Sequence, residues 1–279
     1  MLRSEKRLHR IQRGFILLKY FPIITLVILL LGCDITESDP PGGLIDSRID
    51  FKFVESYSGH DTISIPEIFV RMETEKIYPH CNYDIELSWQ VNGNNIEIDL
   101  IGIHIPPIGF TMSGPARGVI NLGRISGEFN VTFRERKFEN EYELIISDSL
   151  ITVDGIETDH TKPIFTSIFR YPENSFVYFS GTTLTDTFIC ADFIDTLKSV
   201  IDIIEFSFSD IAEIPYLTSN QGHQYNAPVR YFFYESENDF EKIEEVMRAY
   251  KLDHFPIENV GVHLSITNWM NRKVRSWLL

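Results

Sequence analysis

Residues 84–100 read DIELSWQVNGNNIEIDL, and this stretch decides the fold class. Ile85, Leu87, Trp89 and Val91 alternate with polar neighbours, and Ile96, Ile98 and Leu100 do so again after Asn92-Gly93-Asn94-Asn95. A period of two marks half-buried strands, and Asn-Gly supplies the positive φ values that a tight hairpin turn requires. Working outward, Phe51, Phe53, Ile63, Ile65 and Phe69 give strand signals upstream. Downstream, Phe129, Val131 and Phe133 face Tyr142, Leu144 and Ile146 across a loop from Arg134 to Asn140, and Leu150, Ile151 and Val153 continue the meander. The pattern predicts an immunoglobulin-like β-sandwich over residues 48–159, with two sheets facing each other.

After Thr161-Lys162-Pro163 the period changes. A strand at Phe176–Phe179 precedes Ile189, Phe193, Leu197 and Val200 at helical spacing, behind start signals at Thr185 and Asp186. Strands follow at Ile203–Phe208 and Val229–Tyr234. Asn238 with Glu241 then predicts a capped helix whose inner face is Phe240, Ile243, Met247 and Tyr250. Val262, Leu264 and Ile266 make a further strand, and Val274–Leu278 reads as a fifth. The order β-α-β-β-α-β predicts an α+β ferredoxin-like domain over residues 160–279. Its connection from Asp210 to Pro228 is too long for a hairpin, and long connections are often functional. Tyr216, Asn220, His223, Gln224 and Tyr225 within it suit polar recognition and form the candidate binding loop.

The N-terminus carries an address. Arg3, Lys6, Arg7, Arg10, Arg13 and Lys19 precede an apolar core from Tyr20 to Leu31, which is shorter than the roughly 20 residues of a spanning helix. The core closes on Leu30-Leu31-Gly32-Cys33, which resembles the lipobox of bacterial lipoproteins. The resemblance implies that residues 1–32 are a signal peptide, that Cys33 is lipidated, and that the chain is anchored in a bacterial cell envelope. Residues 33–47 then read as a flexible tether, rich in proline, glycine and acids. In proteobacterial lipoproteins an Asp after the cysteine, here Asp34, goes with inner-membrane retention. Other phyla do not follow that rule, so inner and outer membrane both stay open.

Removal of residues 1–32 takes away six of the 25 basic and one of the 40 acidic residues, leaving 19 against 39 and a net charge of −20. So acidic a chain is repelled by phosphate backbones, which excludes nucleic acid as a partner. The basic and aromatic cluster Trp269, Arg272, Lys273, Arg275 and Trp277 reads as a solvated hairpin end. Cys81 and Cys190 permit one bridge or two free thiols, and neither has redox or zinc spacing. His60, His80, His104, His160, His223, His254 and His263 share no ligand spacing, and Asp186, Asp192 and Asp195 lack the pattern of a calcium loop. No nucleophile elbow, phosphate loop or dinucleotide fingerprint is present, so neither a metal nor a cofactor is expected. Pro106-Pro107-Ile108-Gly109-Phe110 and Gly114-Pro115-Ala116-Arg117-Gly118 read as stiff loops that turn the chain or present a binding edge with Met112 and Arg117 exposed.

These readings favour a non-enzymatic binding module, tied to the membrane through Cys33 and facing an envelope protein or glycan. The alternatives are an envelope hydrolase with a site between the two domains built around His223, and a structural spacer.

Overall fold

A computed structural model describes residues 43–59, 62–136, 138–182, 188–216, 227–255 and 261–279. The first sheet is built from β1 (Ile49–Ser56), β2 (Glu67–Tyr78), β3 (Asp84–Asn92), β4 (Asn95–His104) and β5 (Gly114–Gly123). It continues with β6 (Gly127–Glu135), β7 (Phe138–Ile146), β8 (Leu150–Gly155), β9 (Thr161–Pro163) and β10 (Ser167–Phe169). Its ten strands run in the order β10-β8-β7-β6-β4-β3-β5-β2-β1-β9. One face of nearly every strand is apolar, and those faces close on a single core in which Phe51, Phe53, Ile96, Ile98, Val131 and Leu144 are fully buried. Phe51 stands at its centre, with ring centroids 4.6 Å from Phe133 and 4.9 Å from Tyr142.

The expected immunoglobulin-like sandwich followed by a ferredoxin-like domain is overturned. β3 and β5 are neighbours through the parallel pair Asp84↔Arg117, and β4 runs parallel to β6 from Asn95↔Asn130 to Asp99↔Arg134. The strands therefore form one open sheet curled into a half-barrel, and the rest of the chain forms a small open antiparallel sheet with two helices. Alternation assigns each strand one buried face, which two facing sheets and one curled sheet satisfy equally. Only the long-range pairings distinguish them, and the period-two pattern does not encode those.

The sheet's two outermost strands are consecutive in the chain. β9 pairs with β1, β10 pairs with β8, and only Ile164–Thr166 separates them. Within that link the Ile164 N–H donates to Phe51 O at 2.7 Å, and Thr166 O accepts from Val153 N at 2.9 Å. One short run of chain thus holds both margins of the half-barrel.

The second sheet contains β11 (Ser175–Thr182), β12 (Ile203–Phe206), β13 (Arg230–Tyr234), β14 (Val262–Asn268) and β15 (Lys273–Arg275), in the order β12-β13-β11-β14-β15. Helices α1 (Phe188–Val200) and α2 (Glu237–His254) cover one face and bury Phe193, Leu197, Phe240, Ile243 and Met247 against Phe176, Phe232 and Leu264. Ser236, rather than Asn238, is the N-cap of α2; its N–H and hydroxyl both donate to the Asp239 carboxylate, at 3.1 and 2.9 Å. The opposite face carries a second, aromatic core of Val177, Phe179, Tyr216 and Tyr231.

The registers give the half-barrel two distinct ends. The β1–β2 connection and the Asn92–Asn95 turn lie at one end, and there the β1–β2 connection meets the second sheet: Tyr57 OH donates to Trp269 O at 2.7 Å, and Ser64 N donates to Met270 O at 3.1 Å. The β2–β3 and β4–β5 connections lie at the other, together with Gly43, whose carbonyl accepts from Ile103 N at 3.1 Å. Ile45 is buried there, so the described chain joins the half-barrel before Ile49.

Candidate functional site

Of the predicted binding loop, Tyr216 is described and is a core residue. It is 4% exposed, its hydroxyl lies 2.7 Å from Ser175 Oγ, and its ring packs edge-on against Tyr171 at 4.9 Å. Burial pushes its pKa well above the ordinary phenol value. Asn220, His223, Gln224 and Tyr225 lie outside the described residues, as do Cys33 and Asp186. Just before Tyr216, Glu213 pairs with Ile168 of β10, so this part of the long connection bridges the two sheets. Cys81 and Cys190 are both free thiols.

The feature that stands out is the β4–β5 connection, residues 105–113. Ile108, Phe110 and Met112 are 76%, 60% and 68% exposed, an unusual display for three large apolar side chains in sequence. The backbone beneath them is nevertheless tightly held. Asn82 grips it twice, donating from Nδ2 to Ile108 O at 2.8 Å and accepting Phe110 N at 3.0 Å. His80 Nδ1 donates to Phe110 O, and Cys81 N donates to Met112 O at 2.6 Å. Gly109 fits because the His80 ring occupies the space a Cβ would need, and Gly114 does the same against Cys81. His80 in turn stacks over Tyr83, and Tyr83 stacks on Tyr78 at 4.8 Å.

The sequence reading found the exposed Met112 but not the residues that fix it. Gly114–Gly118, read there as a loop, opens β5, with Arg117 exposed upon it. A signal for the whole region was available: Leu100 through Ala116 holds no Asp, Glu, Lys or Arg, in a chain that is 23% charged. Leu44, Ile77 and Ile101, at 49%, 59% and 59% exposure, extend the apolar surface at this end.

A polar concavity, of about 720 Å³, lies on the outer face of β4, β6, β7 and β8, lined by Asn95, Glu97, Thr132, Arg134, Glu139 and Glu141 among others. Arg134 is held between Glu97 at 3.1 Å and Glu139 at 3.7 Å. Hydrogen bonds from Arg134 and Gln90 keep the Glu97 carboxyl below its usual range. Polar and charged side chains make up most of this trough's lining. Histidine–acid pairs occur at His104–Glu86, 3.4 Å, and His254–Asp192, 3.8 Å. The Asp192 carboxylate also accepts Tyr250 OH at 2.8 Å, which ties α1 to α2. Among the described residues no group of histidines, cysteines and acids is arranged to hold a metal, and no helix is long and apolar enough to cross a membrane.

The chain matches no family model, no curated protein and no solved structure.

Proposed function

We propose that this chain is a lipid-anchored, non-enzymatic binding module of a bacterial cell envelope, attached through acyl chains on Cys33 and serving an envelope protein or glycan. The observation that carries this reading is the polarity of the half-barrel. The chain from Cys33 reaches the fold at Gly43, beside Ile103 and the apolar connection, whereas the five-stranded sheet occupies the opposite end. A protein tied at one end presents the other parts outward. The polar trough around Arg134 offers hydrogen-bonding groups of the kind that hydroxyl-rich or charged envelope partners use.

The experiment is metabolic labelling with a fatty-acid analogue in a bacterial host, comparing wild type with Cys33→Ala. Wild type should take up label and sediment with membranes, and Cys33→Ala should do neither. Equal membrane retention of both proteins would refute the anchor.

A further inference from the structure

We propose that the β4–β5 connection is a membrane-contact element: Ile108, Phe110 and Met112 seat in the interfacial layer of the same bilayer that holds Cys33. The proposal rests on the lipid-anchor reading and adds a second point of attachment, which sets orientation where a single tether would leave the module free to tumble.

Three observations select a bilayer as the occupant. The first is hydrogen bonding. Ile108 O, Phe110 N, Phe110 O and Met112 O are all satisfied from within, by Asn82, His80 and Cys81. Each backbone group already paired internally lowers the cost of entering an apolar layer, whereas a protein partner would commonly recruit such groups. The second is charge: the seventeen residues from Leu100 to Ala116 hold no Asp, Glu, Lys or Arg, so seating the tip around Ile108, Phe110 and Met112 strips water from none of these ions. The third is reach. Gly43 lies ten residues after Cys33 and is bonded to Ile103, two residues before the connection begins. Ten residues span at most about 35 Å when fully extended, so Gly43, at the tip's own end of the half-barrel, stays within that distance of the anchor's attachment. The intervening sequence DITESDPPG holds three acids, two prolines and only Ile35 as a large apolar residue, which makes it a poor cover for the exposed patch.

The geometry then has the half-barrel standing on its apolar end, with Leu44, Ile77 and Ile101 around the contact and the five-stranded sheet directed away from the membrane. Apolar area and acyl chains act additively on membrane attachment, and two weak signals together hold where one alone is reversible.

The test uses the full-length protein purified from membranes and reconstituted in phosphatidylethanolamine–phosphatidylglycerol vesicles, with or without bromine on the acyl chains. Phe110→Trp adds a reporter at the tip over the background of Trp89, Trp269 and Trp277. Met112→Trp repeats the measurement should the first substitution disturb the fold. The added emission should lose about half of its intensity or more in brominated vesicles, and Ile108→Ser with Met112→Ser in the Phe110→Trp chain should return quenching to the wild-type background. Mass spectrometry of the Cys33 peptide is run on the same sample. An acylated Cys33 with unquenched tip emission overturns membrane contact and leaves the anchor standing. A blue-shifted but unquenched emission from that acylated protein also overturns it, and identifies a second protein surface as the occupant. An unmodified Cys33 overturns the anchor and, with it, this proposal.

Discussion

Where the half-barrel meets the five-stranded sheet, aromatic rings pack on one another: Tyr57 on Tyr171, Tyr171 on Tyr216, Tyr216 beside Tyr231. At the opposite end Ile108, Phe110 and Met112 face solvent. The first end satisfies itself. The Glu55 carboxylate accepts Arg170 Nε at 2.8 Å and Tyr171 N at 2.7 Å, with the Glu55 side chain 2% exposed, and burial pushes the Tyr171 hydroxyl up to about 12. The second end uses its hydrogen bonds to hold apolar side chains outward. A chain that covers one apolar joint so completely, and elsewhere braces an apolar tip in the open, has not simply run short of packing. Its exposure is built in.

Substitutions at three positions test that contrast. The largest effect should come from Phe51→Ala, which empties the centre of the core beneath both ends; a cavity left by a fully buried aromatic costs about 3–5 kcal/mol. Urea denaturation should show the whole half-barrel losing stability, and a loss below about 1 kcal/mol would mean the two ends do not share this core.

Glu55→Ala comes next and acts on the joint alone. It leaves Arg170 Nε and Tyr171 N–H without their acceptor, at a cost of about 2 kcal/mol, discounted because Arg170 is partly solvated and also donates to Ser147 O. Burial holds the Glu55 carboxyl above its usual range, outweighing the hydrogen bonds from Tyr171 and Arg170. A carboxyl raised in the folded chain gives its full stabilisation below the unfolded value and loses it as pH climbs through the folded one. The stability margin of wild type over Glu55→Gln should therefore narrow from about pH 4 towards neutrality. A margin that widens instead would show that pairing with Arg170 dominates over burial.

The smallest effect on stability belongs to Asn82→Ala. Its two hydrogen bonds are exposed, so the global loss should be about 1 kcal/mol or less. Amide exchange should quicken across residues 105–113 and stay unchanged at the Glu55 joint. Exchange that quickens at both ends would erase the distinction between them.

The local elements were largely legible. The 84–100 hairpin has Asn92↔Asn95 at its turn, and Phe129, Val131 and Phe133 lie opposite Leu144, Tyr142 and Asn140. What alternation could not report was where a strand leaves the core. Ile85 is buried, but Trp89 and Val91 are 43% and 37% exposed, because β3 is bulged at Glu86–Leu87 and has β5 beside it only near Asp84. Ile63 and Ile65 carry the same apolar signal yet lie outside any strand and are exposed. Tyr216 was read as a recognition residue from its neighbours' composition, whereas its burial depends on Tyr171 and Ser175, far off in sequence. The apolar tip was half legible: proline and glycine announced a stiff loop, but the grip of His80 and Asn82 is a contact between two connections that no periodicity records.

The short run that holds both margins of the half-barrel has a further effect, on association between molecules. β9 and β10 are each three residues long, and at the other sheet's edges β12 has four and β15 three, whereas β2 in the interior runs to twelve. Unpaired strand edges are templates on which another chain can continue a sheet, and very short ones give it little to build on. β10 is further shielded by Glu213, which bonds to Ser167 and Phe169. Among the described residues both sheets thus end on outer strands of three or four residues, which offer a neighbouring molecule little ladder to extend.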